Sequence, residues 1–331
     1  MLIRYQSSSV KIMDNIVFII GAGRSGTTWL QLMLGSHPLI ATGQESQLFN
    51  NYFSSMVKQW NRELQYPTSN NLRFHGISAY LNEEQFYFLL KQFASDVFDR
   101  VFQEKPQATY FLEKSPNNSE HIETIYRCFP KAKFIHLIRD GRDVVASILA
   151  AKKGWGKAWH HQSVEDASNE WKTLLQAAQK AKTLTDQYLE IRYENLLNDG
   201  IAQMKNVFEF LDISISKAEV DELYQAHRFK KLKQNDYKRD TFINPGQTNA
   251  SGTKSRPEPE NFFRKGIAGD WKTSFSKAQL QELYWTAGDL LTSLGYTDRE
   301  TASVSIPVNL RLRRIKQSGK RMAAKLINQL K

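Results

Sequence analysis

Among 331 residues there is one cysteine, Cys128. A single thiol excludes an internal disulfide framework and any cysteine-built metal cluster, and it fits a reducing compartment. Cys128 itself reads as a small buried apolar residue on a helix. No stretch approaches the roughly 18 uninterrupted apolar residues of a membrane-spanning helix. The apolar run at 15–20 is too short for the core of a signal peptide and flows straight into a glycine-rich turn. The sequence therefore predicts a cytoplasmic protein. Repeats and low-complexity blocks are missing as well. Neither the His160-His161 pair nor His136 sits among residues that would complete a metal site, so no metal is expected. Acidic residues are absent after Glu300, where Arg311, Arg313, Arg314, Lys316, Lys320, Arg321, Lys325 and Lys331 stand. These eight cations carry most of the formal charge of +11 and leave +3 on the first 300 residues. The basic excess marks a tail over 301–331, not a nucleic-acid-reading surface, and no nucleic-acid partner is expected.

What the chain does have is alternation of strands and helices, which predicts an α/β fold with a parallel sheet covered on both faces. Asn15 to Ile20, Tyr110 to Leu112, Lys133 to Ile138 and Tyr188 to Tyr193 read as strands. Helices are predicted at Ile122–Phe129, Asp143–Ala151, Glu165–Lys182 and Gln279–Leu294, with two more between 193 and 226. Asn82 with Gln85 marks a helix start, and Phe86, Leu89, Leu90, Phe93, Val97 and Val101 give that helix an apolar face. Residues 234–260 are polar and read as a long loop. The predicted organisation is one domain over 1–300 followed by the basic tail.

The densest information lies in Gly21-Ala22-Gly23-Arg24-Ser25-Gly26-Thr27-Thr28-Trp29. Strand, glycine-rich turn and helix in that order form a phosphate cradle, because small residues let backbone N–H groups converge and the helix N-terminus adds partial positive charge. Gly21 and Gly26 keep the spacing of the nucleotide-triphosphatase loop, yet Thr27 stands where that loop carries lysine. A kinase gripping β- and γ-phosphates would lose its main cation there. The positive charge sits instead at Arg24, which fits an anion other than a magnesium-bound triphosphate.

Two further segments carry chemistry suited to an anion. Arg139 ends a strand and Ser147 follows eight residues on in the next helix; a guanidinium and a hydroxyl could share one phosphate. The plainer reading is an Arg–Asp ion pair capping a helix. Near the C-terminus, Phe263-Arg264-Lys265-Gly266-Ile267-Ala268-Gly269-Asp270-Trp271-Lys272 is basic and glycine-bearing. Arg24, Lys114, Arg139 and Tyr193 all fall at or just after strand ends, the edge where such sheets bind ligands.

Taken together, these stretches resemble the signatures of sulfotransferases that use 3′-phosphoadenosine 5′-phosphosulfate. Gly23 to Trp29 resembles the 5′-phosphosulfate loop, Arg139 and Ser147 the 3′-phosphate pair, and Arg264-Lys265-Gly266 with Gly269 to Lys272 the C-terminal signature of the cytosolic branch. The resemblance covers about residues 14–296 and implies a P-loop-like three-layer domain on a parallel sheet of about five strands. It implies that Arg24, Ser25, Gly26, Thr27 and Thr28 hold the phosphosulfate, that Trp29 and Phe229 flank the adenine, and that Tyr193 contacts the base. Arg264, Lys265 and Gly266 complete the nucleotide site. The product would be 3′,5′-bisphosphoadenosine (PAP).

Sulfuryl transfer needs cations at the leaving phosphate and a base at the acceptor hydroxyl. The cytosolic branch uses a histidine where this chain has Lys114-Ser115-Pro116, so that base is absent. Other branches use a glutamate after the phosphosulfate loop and its helix. Glu45 is the matching base, with Glu113 as the fallback, and Lys114 and Arg24 stabilise the transferring group. A dimerisation motif of the cytosolic branch is not matched at Lys272, Ser276, Lys277 and Gln281, leaving the oligomeric state open. The loops at 46–80 and 234–260 would line the pocket of a small-molecule, sugar or lipid-linked acceptor. The tail from about Pro307 alternates cations with apolar residues and reads either as a helix on an anionic membrane or as a basic extension. The rival functions are a small-molecule kinase, which Thr27 opposes, and a non-catalytic nucleotide- or membrane-binding relative, which the presence of Arg24, Glu45, Lys114 and Arg139 opposes.

Overall fold

Residues Ile16–Ile20 form β1, buried along its whole length. Successive side chains of a strand point to opposite faces, and each face of this one meets its own apolar layer. Ile16, Phe18 and Ile20 join one hydrophobic cluster, while Val17 and Ile19 join a second. Helices on both faces follow from that, giving the three layers. The computed structural model describes residues 14–66, 75–157, 161, 163–233 and 262–305. The loop predicted at 234–260 and the tail from 307 lie outside the described residues.

From β1 the chain enters α1 (Thr27–Gly35), β2 (Ile40–Thr42), a π-helical turn (Leu48–Phe53), α2 (Ser54–Glu63) and α3 (Glu83–Gln103). β3 (Tyr110–Glu113) leads through a 3₁₀ turn (Pro116–His121) into α4 (Ile122–Cys128), then β4 (Lys133–Ile138), α5 (Gly141–Lys153), α6 (Val164–Gln179) and α7 (Ala181–Leu184). β5 (Tyr188–Arg192) precedes α8 (Tyr193–Asn198), α9 (Gly200–Phe210), α10 (Lys217–Ala226) and α11 (Phe229–Lys233). The last described helices are α12 (Trp271–Ser274), α13 (Lys277–Ser293) and α14 (Arg299–Ala302).

The sheet order is β2-β3-β1-β4-β5, all parallel. From β1 the chain runs outward to β2, returns to β3, then crosses to β4 on the other side of β1. Connections therefore leave β1 in opposite directions, and the crevice such a reversal opens at the strand C-termini is where ligands bind in these sheets. The described chain divides into two compact units. One comprises Met1–Arg139 and Thr173–Gly266 and holds the whole sheet; the other comprises Asp140–Lys172 and Ile267–Lys331. Among the described residues no helix is long and apolar enough to cross a membrane.

Four expectations change. β2 is a strand that three residues of weak pattern did not announce. Residues 48–63, assigned to a loop, are helical and bury Leu48, Phe49, Phe53 and Trp60. Three helices, not two, fill 193–226. On α3 the capping box of Asn82 and Gln85 forms as predicted, but the buried face is Phe86, Tyr87, Leu90, Ala94, Phe98 and Val101. Leu89, Phe93 and Val97 are 47%, 52% and 37% exposed. The helix is apolar on more than one side, and tertiary stacking chose between them: Phe86 lies flat on Trp60 at 4.4 Å and Phe98 on Phe111 at 4.5 Å.

Candidate active site at the C-terminal edge of the sheet

Each strand end delivers a residue of the site. β1 ends at Ile20 and the glycine-rich turn follows; β2 ends at Thr42, three residues before Glu45; β3, β4 and β5 hand over directly to Lys114, Arg139 and Tyr193. The turn reaches α1 through Gly26, whose φ of 96° is left-handed and whose added Cβ would meet the Tyr193 ring at 2.6 Å. Only glycine fits both demands. Arg24 is also left-handed, at φ 68°. Gly26, the N-cap of α1, has no side chain to cap it and the first turn holds no acid, so among the described residues its leading amides remain available to an anion. Ser25 is buried, and its Oγ has no partner among the described residues. An anion held in this turn would supply one, so the residues present fit a phosphosulfate group.

Lys114 joins the turn to Glu45. Its Nζ donates to Thr28 Oγ1 at 3.2 Å and forms an ion pair with Glu45 Oε1. Glu45 Oε2 accepts from Gln47 Nε2 at 3.0 Å. The side chain of Lys114 is 4% exposed and that of Glu45 39%, so the carboxylate faces out while the ammonium is sunk beneath it. A hydroxyl approaching from solvent can reach Glu45, whereas the cation, among the described residues, bonds Thr28 in the first turn of α1 and the carboxylate.

Glu113 differs in every respect. It is 2% exposed, and its carboxylate accepts from Ser46 N–H at 3.3 Å, Ser46 Oγ at 2.8 Å, Ser115 Oγ at 2.7 Å and Asn118 Nδ2. Desolvation pushes its carboxyl above the usual range, and the hydroxyl and amide donors pull the other way. Three of these donors sit on Oε1 and one on Oε2, so the carboxylate faces its own protein cluster and not solvent. Sequence pattern named this residue, but as a fallback base.

The first-unit residues that the resemblance assigns to the nucleotide also come together. Arg139 Nη1 donates to the Arg24 carbonyl at 3.1 Å, and its guanidinium lies 4.1 Å from the Tyr193 ring centroid. Next to Arg139, the helix-capping Arg–Asp ion pair forms between Arg142 and Asp140, the N-cap of α5. Arg24 donates to the Phe262 carbonyl at 2.5 Å and stacks on that ring at 4.5 Å. Trp29 packs in the core against Tyr193 and Tyr224, its indole N–H donating to His227 O at 2.8 Å. Phe229 opens α11, and a Cβ on Gly266, at φ 64°, would strike its ring at 2.1 Å. The Arg264-Lys265-Gly266 segment thus meets Phe229 through the one residue small enough to do so. Thr27 is buried at the start of α1. Ser119, which the sequence did not single out, accepts from Gly21 N–H at 2.9 Å and ties the turn to the segment after Lys114.

Ser147 belongs to the second unit, buried on α5. In that unit the buried Asp143 accepts from the N–H groups of Gly269 at 2.7 Å and Trp271 at 2.9 Å. Arg142 lies 3.9 Å from the Trp271 ring and pairs with Asp140. The Gly269-Asp270-Trp271 stretch is therefore anchored by its own amides, a role its side chains did not reveal. His136 is fully buried on β4, its Nδ1 2.7 Å from Tyr188 Oη, and desolvation lowers its pKa to about 3. Cys128 is likewise buried, its thiol pushed up to about 12. Among the described residues no three His, Cys, Asp or Glu side chains gather as a metal site.

Residues 16–217 match the family model described as "Sulfotransferase family". Protein-tyrosine sulfotransferase 1 of Danio rerio is 25% identical over 199 residues, covering 60% of this chain and 53% of that protein. Protein-tyrosine sulfotransferase A of Caenorhabditis elegans is 25% identical over 205 residues, covering 60% and 50%. The chain spans about half the length of these curated relatives. In fold it is similar to mouse sulfotransferase SULT7A1 complexed with PAP, at a TM-score of 0.53 and 16% identity over 87% of each chain.

Proposed function

Since the chain belongs to the sulfotransferase family, we propose that it moves a sulfuryl group from 3′-phosphoadenosine 5′-phosphosulfate to an acceptor hydroxyl, with Glu45 as general base. The observation that carries this reading is the connected set Thr28 Oγ1, Lys114 Nζ and Glu45 Oε1 beside the uncapped start of α1. When bound, the donor supplies an activated sulfuryl group whose departure leaves negative charge on the 5′-phosphate. The turn amides, Ser25, Thr27 and Thr28 would hold that end, with Arg24 and Lys114 adding positive charge. Arg139, Tyr193, Phe229 and the 264–266 segment, all of the first unit, would hold the nucleoside and its 3′-phosphate.

Glu45 takes the proton of the acceptor hydroxyl. On doing so it stops neutralising Lys114, and the full ammonium charge becomes available to the loop as negative charge grows there. Proton removal and charge stabilisation are coupled through one nitrogen. Because the matched relatives are named for protein tyrosine, tyrosyl peptides head the acceptor screen, followed by small phenols, sugars and lipid-linked hydroxyls.

Calorimetry with PAP and transfer of labelled sulfate to that panel test the proposal. Wild type is expected to bind PAP without magnesium, and Glu45→Gln to keep that affinity while losing transfer by about 10²-fold or more. Strong binding of magnesium–ATP with no uptake of PAP would overturn it.

A further inference from the structure

We propose that Glu113 is a positioning residue, its buried carboxylate clamping the loop that carries Glu45 to the strand end that carries Lys114. This rests on the assignment of Glu45 and Lys114 above. Ser46, the neighbour of Glu45, gives Glu113 both its amide and its hydroxyl; Ser115, the neighbour of Lys114, gives its hydroxyl. Ser115 Oγ also accepts from Gln47 N–H at 3.2 Å, and Ser46 Oγ accepts from Leu48 N–H at 3.3 Å at the start of the π-helical turn. Asn118 holds the remaining carboxylate oxygen from the 3₁₀ turn after β3. Thus β3, the 45–48 loop and the 116–121 turn meet on one side chain.

The position explains why a carboxyl group belongs there. Glu113 is the last residue of β3, so its backbone is fixed by the sheet while the next residue is Lys114. A rigid strand end is the best-defined point in this neighbourhood, and a loop hydrogen-bonded to it inherits that definition. Gln31 Nε2 holds the start of the loop at the Gly43 carbonyl, at 2.9 Å, but Glu45 itself is partly exposed and reaches Lys114 through a flexible side chain. A buried acceptor with its oxygens filled by short polar side chains sets the loop's distance within a few tenths of an ångström, which a catalytic base requires. Without those donors the buried carboxyl would be strongly unfavourable, so the cluster forms as a whole or not at all.

Two substitutions separate this role from that of a base. In Glu113→Gln the amide oxygen still accepts from Ser46 and Ser115, and the amide nitrogen can donate to Asn118 Oδ1, which has no partner among the described residues. Transfer to a tyrosyl peptide is therefore expected within about threefold of wild type. In Glu113→Ala the clamp is gone: kcat is expected to fall about 10²-fold with PAP affinity within about twofold. Amide exchange, measured on the protein without donor, is expected to accelerate at least about tenfold at Ser46 and Gln47 in Glu113→Ala and to stay near wild type in Glu113→Gln.

A Glu113→Gln variant as inactive as Glu45→Gln would make Glu113 a base and overturn the proposal. Unchanged exchange at Ser46 and Gln47 in Glu113→Ala would overturn it as well. Should Glu113→Ala not fold, Ser46→Ala removes the hydroxyl donor alone; faster exchange at Leu48 and a severalfold lower kcat support the clamp, and the absence of both changes refutes it. Exchange needs no nucleotide, so a wild-type chain that takes up no PAP would sink the sulfotransfer reading while leaving the clamp to its own test.

Discussion

Removing either partner of the Glu45–Lys114 pair should abolish transfer, yet the two removals should differ sharply in stability. Lys114 is 4% exposed at its side chain and Glu45 39%. Glu45→Ala strands a sunken ammonium whose remaining partner among the described residues is Thr28 Oγ1, at 3.2 Å. A buried polar group deprived of its partner costs about 1–3 kcal/mol, toward the upper end when charged. The retained hydroxyl keeps the figure below the roughly 3–5 kcal/mol of a fully orphaned buried charge. Lys114→Met does the reverse. It fills the stem with apolar atoms and releases a carboxylate that water already reaches, so its cost should not exceed about 1 kcal/mol. Paired urea unfolding of wild type, both single variants and the double variant measures all four corners. The double variant should be more stable than the sum of the singles implies, with a coupling of about 1 kcal/mol or more. If Lys114→Met costs as much as Glu45→Ala, the ammonium is not the desolvated partner, and the picture of a sunken cation under an accessible base is wrong.

His136 should make the protein acid-sensitive. Its folded pKa, about 3, lies below the ordinary value near 6.5 because burial disfavours the imidazolium, with Tyr188 the neighbouring hydroxyl and Glu190 beyond it. Between these values the unfolded chain binds the proton more tightly, so stability falls as pH drops from 6.5 toward 3, by up to roughly 5 kcal/mol over the full window. Denaturation curves of His136→Gln should be flatter across that range, and an identical slope would refute the assignment. Gly26→Ala forces a Cβ to within 2.6 Å of the Tyr193 ring at a left-handed φ. It should cost about 1–3 kcal/mol and weaken PAP binding at least tenfold by calorimetry. Asp143→Ala leaves the amides of Gly269 and Trp271 without their acceptor and should destabilise by about 3 kcal/mol or more. Thermal unfolding measures that loss; a shift below about 1 kcal/mol would show that the anchor is dispensable.

Sequence alone determined the elements whose pattern is local. β1 is five consecutive β-branched or aromatic residues followed by glycine, and the loop after it carries its anion chemistry in adjacent residues. Asn82 and Gln85 announce the start of α3 because a capping box closes over three residues. Strand ends are legible in short β-prone runs, which places Lys114, Arg139 and Tyr193 at or just after strand ends. Glu45 and Lys114 could be nominated separately, but not joined. Their contact spans 69 positions and exists only because β2 and β3 lie side by side in the sheet.

Tertiary structure decided the rest. The three-residue β2 is too short for a periodic signal, and pairing with β3 is what makes it a strand. On α3 two apolar faces were compatible with helical spacing, and the stacking of Phe86 on Trp60 and Phe98 on Phe111 selected one. Glu113 and Glu45 are the same residue type, each just after or at the end of a strand. Burial alone separates them: one is enclosed by four donors and the other stands open to a hydroxyl. A side chain's chemistry is written in the sequence, but its solvation is set by residues far along the chain, and solvation decides which carboxylate can accept a proton.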